Sequence, residues 1–193
     1  MNVSIIKPEE LPLFIKGRNA AYRARSDGHI PYSELDMEKL KNDLNDKSIW
    51  YGLYQDGELI GGLMVKLHED DTATLKRVWV NPHLQNTGGG TYLMQNVELQ
   101  LKDRGCKKIN LSVANSYKPA VHLYKKLGFR TIGITAHVPH TFYFLDMVKT
   151  LEPYKYSEIK RIVNYRISRL KFILFFDKYS TPNFLHKLVY GKR

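Results

Sequence analysis

The sequence predicts an α/β chain of the α+β kind, a sheet with helices laid against it, followed by a helical appendage. Three observations carry this reading. Short strand-like apolar runs alternate with amphipathic helical runs up to residue 151. Two tight turns join three of those runs into antiparallel neighbours before the central helix begins. Beyond residue 151 the pattern changes to a basic amphipathic helix. We therefore divide the chain into residues 1–151, the main domain, and residues 152–193, a basic amphipathic helical extension.

Each element has a local cause. Residues 3–6 (VSII) suit a short strand, and Pro8 with Glu9 and Glu10 opens a helix through about Ala24, because proline and acids favour a helix start. Leu35, Met37, Leu40 and Leu44 keep mostly helical spacing and predict a second helix from Glu34 to Leu44. IWYGLY and ELIGGLMVKL flank Asp56-Gly57, a pair that tolerates the positive φ of a hairpin turn. A second turn at His68 to Asp71 leads into TLKRVWV. After three consecutive glycines, Tyr92, Leu93, Met94, Val97, Leu99 and Leu101 give a helix its apolar side, ending near Arg104-Gly105. INLSV is a short buried strand. Asn115 or Ser116 is expected to cap a helix reaching Leu127, with Gly128 as its stop. FRTIGIT and FYFLDMV close the sheet. Repeats and low-complexity tracts are absent from the sequence, which excludes a solenoid.

Composition narrows the function. The 193 residues carry a formal charge of +11, an excess that favours anionic partners such as a phosphorylated cofactor, nucleic acid or a lipid surface. Ten Lys or Arg against three Asp or Glu place +7 of that charge in residues 152–193. Cys106 is the single cysteine, so an internal disulfide and a cysteine zinc cage are excluded and a reducing, cytoplasmic location is expected. No run approaches the roughly 20 apolar residues of a membrane span.

The stretch VNPHLQNTGGGTYL raises the chemical question. Glycine costs roughly 0.5 to 1 kcal/mol against alanine in regular structure, so three together need a use, and the usual one is close approach of backbone to a ligand. Between a strand and a helix, residues 85–91 can aim successive N–H groups into one concavity that the helix dipole reinforces, a geometry that binds phosphate. A P-loop needs lysine where Thr91 stands, and a dinucleotide fingerprint needs a small residue where Leu93 stands.

What remains is PxxQxxGxGxxL, met by Pro82, Gln85, Gly88, Gly90 and Leu93. It resembles the acetyl-CoA-binding signature of the GNAT family of N-acetyltransferases. KPAVHLYKKLGF, from Lys118 to Phe129, resembles that family's second diagnostic segment, and FYFLDMVKTL its last strand, so the resemblance spans about residues 1–151. It implies a mixed, mostly antiparallel sheet of six to seven strands, flanked by helices and splayed at its middle to admit acetyl-CoA as co-substrate. It implies that the amides of Gln85, Asn86, Thr87, Gly88, Gly89, Gly90 and Thr91 hold the pyrophosphate. The backbone of Val78 and Val80 would bind the pantetheine arm and polarise the acetyl carbonyl, and Tyr124 would be the general acid that protonates the departing thiolate. Where the family often carries a cofactor-contacting asparagine this chain has Tyr117, and Asn115 lies two residues earlier as the candidate contact. Where it often carries a glutamate base, Thr74, Lys76 and Arg77 stand, so His68, Glu69, Asp70 and Asp71 of the adjoining turn are the candidates, acting through water.

The expected reaction is direct transfer of acetyl to an amine of a small molecule or peptide, without a covalent intermediate on Cys106. Candidate acceptor-side residues are Tyr22, Arg23, Arg25, His29, Tyr32, His137 and His140, the arginines being suited to a carboxylate or phosphate on the acceptor. HVPH lacks a third ligand, so no metal is expected. In the extension, Ser157 is expected to cap a helix with Ile159, Ile162, Val163, Ile167, Leu170, Ile173 and Leu174 on one side, and Thr181-Pro182 to begin a final short helix. Its apolar side is expected against the domain or a twin subunit in a homodimer; an anionic membrane, or less readily nucleic acid, is the alternative partner. The rival function is a non-catalytic CoA-binding module tethered by this tail.

Overall fold

The computed structural model describes residues 1–25, 35–40, 43–136, 143–152, 163–165 and 167. The chain divides into two compact units, Met1–Pro153 and Tyr154–Arg193. Of the second, the described residues are helical, with Val163 and Ile167 each 46% exposed. The Ser157 cap, most of the expected tail helix and the final helix at Thr181-Pro182 lie outside the described residues.

The first unit is one seven-stranded sheet in the order β1-β2-β3-β4-β5-β7-β6. β1 (Asn2–Ile5) leads to α1 (Leu11–Arg23) through a 3-10 turn at Pro8–Glu10. The second helix is shorter than its spacing predicts: α2 covers Met37–Leu40, and Asp43 beyond it turns to an ion pair. β2 (Ser48–Gln55), β3 (Glu58–Leu67) and β4 (Thr72–Val80) form an antiparallel meander, with Asp56 at φ 52 and Gly57 at φ 84 making the hairpin turn. α3 (Gly89–Asp103) returns the chain to β5 (Lys108–Ala114), which pairs parallel to β4. α4 (Lys118–Lys126), β6 (Arg130–Ala136) and β7 (Tyr143–Thr150) complete the fold. The expected Asn115 or Ser116 cap is not formed, because α4 starts after Tyr117 and Asn115 is committed elsewhere.

The sheet buries both faces, as its two core clusters require. On one face Leu93, Val97 and Leu101 of α3 and Val121 and Tyr124 of α4 pack on Leu63, Leu75, Ile109, Leu111 and Val113. On the other, Phe14 of α1 meets Trp50 and Trp79 edge-on, with ring centroids 5.1 and 5.7 Å apart. Here two glycines set the distance: a Cβ on Gly17 would lie 2.2 Å from the Trp79 ring, and one on Gly62 would lie 2.7 Å from Phe14. α1 therefore lies close on β3 and β4. No helix among the described residues is long and apolar enough to cross a membrane.

Candidate active site

β4 and β5 diverge, and the divergence makes the site. Their parallel pairing covers Thr72↔Lys108, Ala73↔Ile109 and Thr74↔Asn110 and then stops, although β4 runs on to Val80 and β5 to Ala114. A bulge helps to part them. Gly62 pairs with Trp79 and Met64 with Lys76, so Leu63 faces both Arg77 and Val78. Arg77 takes the left-handed conformation at φ 56, unusual for a side chain of its size, and the added residue re-aims the end of β4. Its guanidinium is held by a hydrogen bond to the buried Asp43, which Lys76 also approaches at 3.8 Å.

A cavity of about 820 Å³ fills the split. Its walls take Val78 and Val80 from β4, Ser112 and Ala114 from β5, Tyr22 from α1 and Arg25 just beyond it, and Tyr117 and Tyr124 from the α4 segment. Gln85, Asn86, Gly88, Gly90 and Thr91 close one side. Of the residues expected at the cofactor, three do not line it. Thr87 is exposed and gives its hydroxyl to the Leu84 carbonyl at 2.7 Å. Gly89 is buried, where a Cβ would sit 3.4 Å from Leu53. Asn115 accepts the Tyr143 N–H at 3.1 Å, which fixes the start of β7.

The glycine triplet thus has three separate causes. Gly88 stands at φ 91 as the cap of α3, with nothing within 4 Å of where a Cβ would be; Gly89 faces the core; a Cβ on Gly90 would come 3.2 Å from Leu123 of α4. Gly88 and Gly90 both line the cavity, and α3 is a 15-residue helix whose first-turn N–H groups have no partners within the helix. This backbone fits the diphosphate of coenzyme A, with Val78 and Val80 beside it for an extended arm.

Tyr124 is buried, and its phenol lies close enough to Tyr22, Tyr117 and Arg25 to feel them electrostatically. Burial pushes its pKa well above the ordinary phenol value, with Arg25 pulling the other way. Arg25 is itself placed by stacking, 4.0 Å over the Tyr117 ring and 5.1 Å from the Tyr22 ring. Arg23 also lines the cavity, whereas His29, Tyr32, His137 and His140 lie outside the described residues.

The acidic turn is elsewhere. His68, Glu69 and Asp70 line a separate open depression with Asn45 and Lys66. Glu69 binds Lys47 and Asp71 binds Lys107, each at 2.7 Å, and Asp70 accepts the Thr72 hydroxyl at 2.7 Å. Cys106 is buried away from the cavity and burial raises its thiol pKa, the opposite of an activated nucleophile. Among the described residues no cluster of three or more His, Cys, Asp or Glu could hold a metal. Sequence reasoning missed Arg18, Ser112 and His122, which line the cavity. The available signal was the alternation of INLSV, which puts Asn110 and Ser112 on the face opposite Leu111 and Val113.

Comparison with known proteins agrees with this geometry. A model of the acetyltransferase (GNAT) family matches residues 18–129. The mycothiol acetyltransferase of Thermomonospora curvata is 39% identical over 80 residues, 42% of this chain but 27% of that protein, so the chain spans about a quarter of this relative's length. The [ribosomal protein bS18]-alanine N-acetyltransferase of Escherichia coli K12 is 27% identical over 133 residues, 68% of this chain and 82% of the relative. The crystal structure of an aminoglycoside 6'-N-acetyltransferase complexed with coenzyme A has the same fold, with a TM-score of 0.65 at 16% identity over 80% of this chain and 99% of the other. With residues 18–129, more than half of its length, matched by the family model, the chain belongs to the acetyltransferase (GNAT) family.

Proposed function

We propose that the protein is an N-acyltransferase that moves the acetyl group of acetyl-CoA directly to an amine. The observation that carries this is the convergence, on one cavity, of the bulged end of β4, the left-handed Gly88 at the head of α3, and Tyr124. Acetyl-CoA supplies a thioester carbonyl activated toward attack by a neutral amine. The chain's own part is fourfold. Amides around Gly88 and Gly90 hold phosphate, Val78 and Val80 hold the arm, backbone N–H groups of the parted strand polarise the carbonyl, and Tyr124 gives a hydrogen bond to the departing sulfur.

The acceptor is read from charge. Arg18, Arg23, Arg25, Lys76, Arg77 and Lys126 line the cavity, and among the described residues no carboxylate does. Such a lining favours an amine that carries a neighbouring carboxylate or phosphate, and disfavours a polycation. Of the acceptors in the relatives' names, the alanine amine of a protein or peptide, which brings a single positive charge, fits better than the polycations spermine or an aminoglycoside. We place the protein in the cytoplasm, and assign the apolar side of the basic extension to a second copy of the chain in a homodimer.

The test is release of thiol from acetyl-CoA with three probes: a hexapeptide with a free N-terminal alanine, spermine and kanamycin. Turnover greatest with the peptide supports the reading, and background rates with all three refute it. Tyr124→Phe is expected to lower kcat by roughly 100-fold or more while leaving the calorimetric affinity for coenzyme A unchanged. An unchanged kcat would remove Tyr124 from the mechanism.

A further inference from the structure

An ammonium acceptor must lose two protons to become an amide, and neither the stretch where the family glutamate is expected nor the described cavity lining supplies a carboxylate to take the first. One carboxylate stands directly behind that lining. Ser112, exposed on β5, has Asp146 of β7 as its cross-strand partner, and its hydroxyl donates a hydrogen bond to Asp146 Oδ1. Thr135 of β6 donates to Oδ2 at 2.8 Å. The third strand makes room: a Cβ at Gly133 would lie 3.3 Å from Oδ2, and the β6–β7 register slips between Thr131 and Gly133. Three strands are shaped around one carboxyl group.

Its partners and its place beside the cavity together set it apart: Glu10 and Asp70 also accept hydroxyls, from Tyr54 and Thr72, but none of those residues lines the cavity. Asp43 is engaged by Arg77 and Lys76, Glu98 by Lys149 and Lys102, Glu69 by Lys47 and Asp71 by Lys107. Asp146 is held by two hydroxyls, either of which can pass a proton on, and one of them faces the cavity.

We infer that Ser112 and Asp146 form a relay that takes the first proton from the acceptor amine. The inference rests on the acetyltransferase reading. In the step, one N–H bond of the ammonium breaks as its proton passes to Ser112 Oγ, while the proton of Ser112 passes to Asp146 Oδ1. The products are a neutral amine, an intact serine and a protonated Asp146, which later releases its proton to solvent. The amine lone pair then forms the bond to the acetyl carbon, the C–S bond breaks, and the second nitrogen proton makes good the one Tyr124 gives to sulfur. Ser112 touches the acceptor; Asp146 acts through it. Strand pairing puts Lys108 of β5 and Arg130 of β6 on the same face of the sheet as Asp146, and Arg25, Lys76, His122, Tyr22 and Tyr117 are the other charged or titratable groups of the cavity that Ser112 lines.

The experiment uses the full chain, acetyl-CoA and the alanine hexapeptide, followed from pH 6 to 9. Asp146→Asn keeps the shape and removes the proton site. Without it the rate follows the fraction of free α-amine, whose pKa is about 8, so kcat/KM is expected to fall roughly 30-fold at pH 6.5 and less than about 2-fold at pH 9. Ser112→Ala shows the same pH-dependent loss, Asp146→Glu restores part of it, and His122→Asn keeps the wild-type profile shape. Calorimetry with coenzyme A gives equal affinity for wild type and Asp146→Asn, which separates proton transfer from folding. Should Asp146→Asn fail to bind coenzyme A, Thr135→Val, which leaves the relay in place but loosens it, carries the same test with a smaller pH-dependent loss. A deficit equal at every pH, or no deficit, overturns the relay while leaving the transferase reading intact. A wild type that binds coenzyme A but turns over none of the three amines overturns both.

Discussion

Gly88→Ala separates what the backbone requires at the glycine loop from what a ligand requires, because the fold contains a matched control. Gly88 stands at φ 91 and Gly57, in the β2–β3 hairpin, at φ 84; at neither would a Cβ meet any atom within 4 Å. Both substitutions therefore cost only the left-handed backbone penalty, about 1 to 2 kcal/mol. For a chain of this size each kcal/mol lowers Tm by about 2 to 4 °C, so a drop of about 2 to 8 °C is expected in both variants. The difference lies in where the new methyl points. Gly88 lines the cavity, and Gly57 does not. Displacing one N–H from a phosphate oxygen removes a hydrogen bond to a charged group worth about 1.5 to 3 kcal/mol, and about 1.4 kcal/mol is tenfold in Kd. Coenzyme A should bind Gly88→Ala roughly 10- to 100-fold more weakly, and Gly57→Ala as it binds wild type. Calorimetry and thermal melts on the same preparations decide it. If Gly88→Ala melts lower yet binds coenzyme A within a factor of about two of wild type, the loop is a structural turn and the phosphate argument is refuted.

Two further expectations follow from buried groups. Asp43→Ala strands the Arg77 guanidinium, whose side chain is 19% exposed, and is expected to destabilise the domain by about 3 kcal/mol in denaturant melts and to weaken coenzyme A by loosening the β4 bulge; a loss under about 0.5 kcal/mol would mark the pair as an ordinary surface contact. Stability should fall on the alkaline side. Burial raises the Cys106 thiol and the Tyr124 phenol, and burial followed by the Glu10 hydrogen bond raises Tyr54 to about 12. Each folded value exceeds its unfolded one, so the stabilisation is complete below the unfolded values and is lost as pH climbs through the folded ones. Tm is expected to decline gently from about pH 8.5, where a free thiol titrates, and more steeply above about pH 10, where free phenols do, with Tyr124→Phe declining less. A Tm unchanged between pH 8 and 11 would contradict the assigned burial.

Wherever local chemistry decides alone, the sequence was readable. Asp56-Gly57 announced its hairpin, Gly105 and Gly128 announced helix ends at φ 78 and 90, and the motif around Gly88 announced the head of α3. The site was only partly readable, because its residues are assembled across the sheet. Ser112 and Asp146 are 34 positions apart and meet only through strand pairing. Asp146 did leave a trace, a lone charge inside the apolar run FYFLDM, but single-sequence reasoning has no way to pair it with a hydroxyl on β5. The acidic turn misled for the opposite reason. Its four polar residues are adjacent in sequence, yet Lys47 and Lys107 approach from other elements and use them structurally. Asn115 was drawn toward the cofactor by motif order, and a cross-strand need, holding the Tyr143 N–H, took it.

The proton chemistry explains why a split sheet suits this reaction. Tyr124 stands in the core layer between α3, α4 and the sheet, whereas Ser112 and Asp146 alternate with Leu111, Val113, Leu145 and Met147 and so occupy the opposite face. In a continuous sheet a layer of hydrogen-bonded backbone would separate them. The pairing of β4 with β5 ends at Thr74 and Asn110, so the layer is missing where the cavity lies, and one thioester can meet an acid from one side and an amine from the other. The raised pKa of Tyr124 then limits its role. A thiol titrates near 8.5, so a phenol held above 10 would hand over its proton uphill, by about 1.4 kcal/mol for each unit of difference. Tyr124 acts first as a hydrogen-bond donor to the growing thiolate, and transfer completes only when the nitrogen's second proton replaces the one it gives. Losing that proton from nitrogen is favourable only after the first has left through Ser112. On this reading Asp146 sets how much neutral amine is present and Tyr124 how fast it reacts, so at pH 6.5 the losses of Asp146→Asn and Tyr124→Phe should multiply in the double variant.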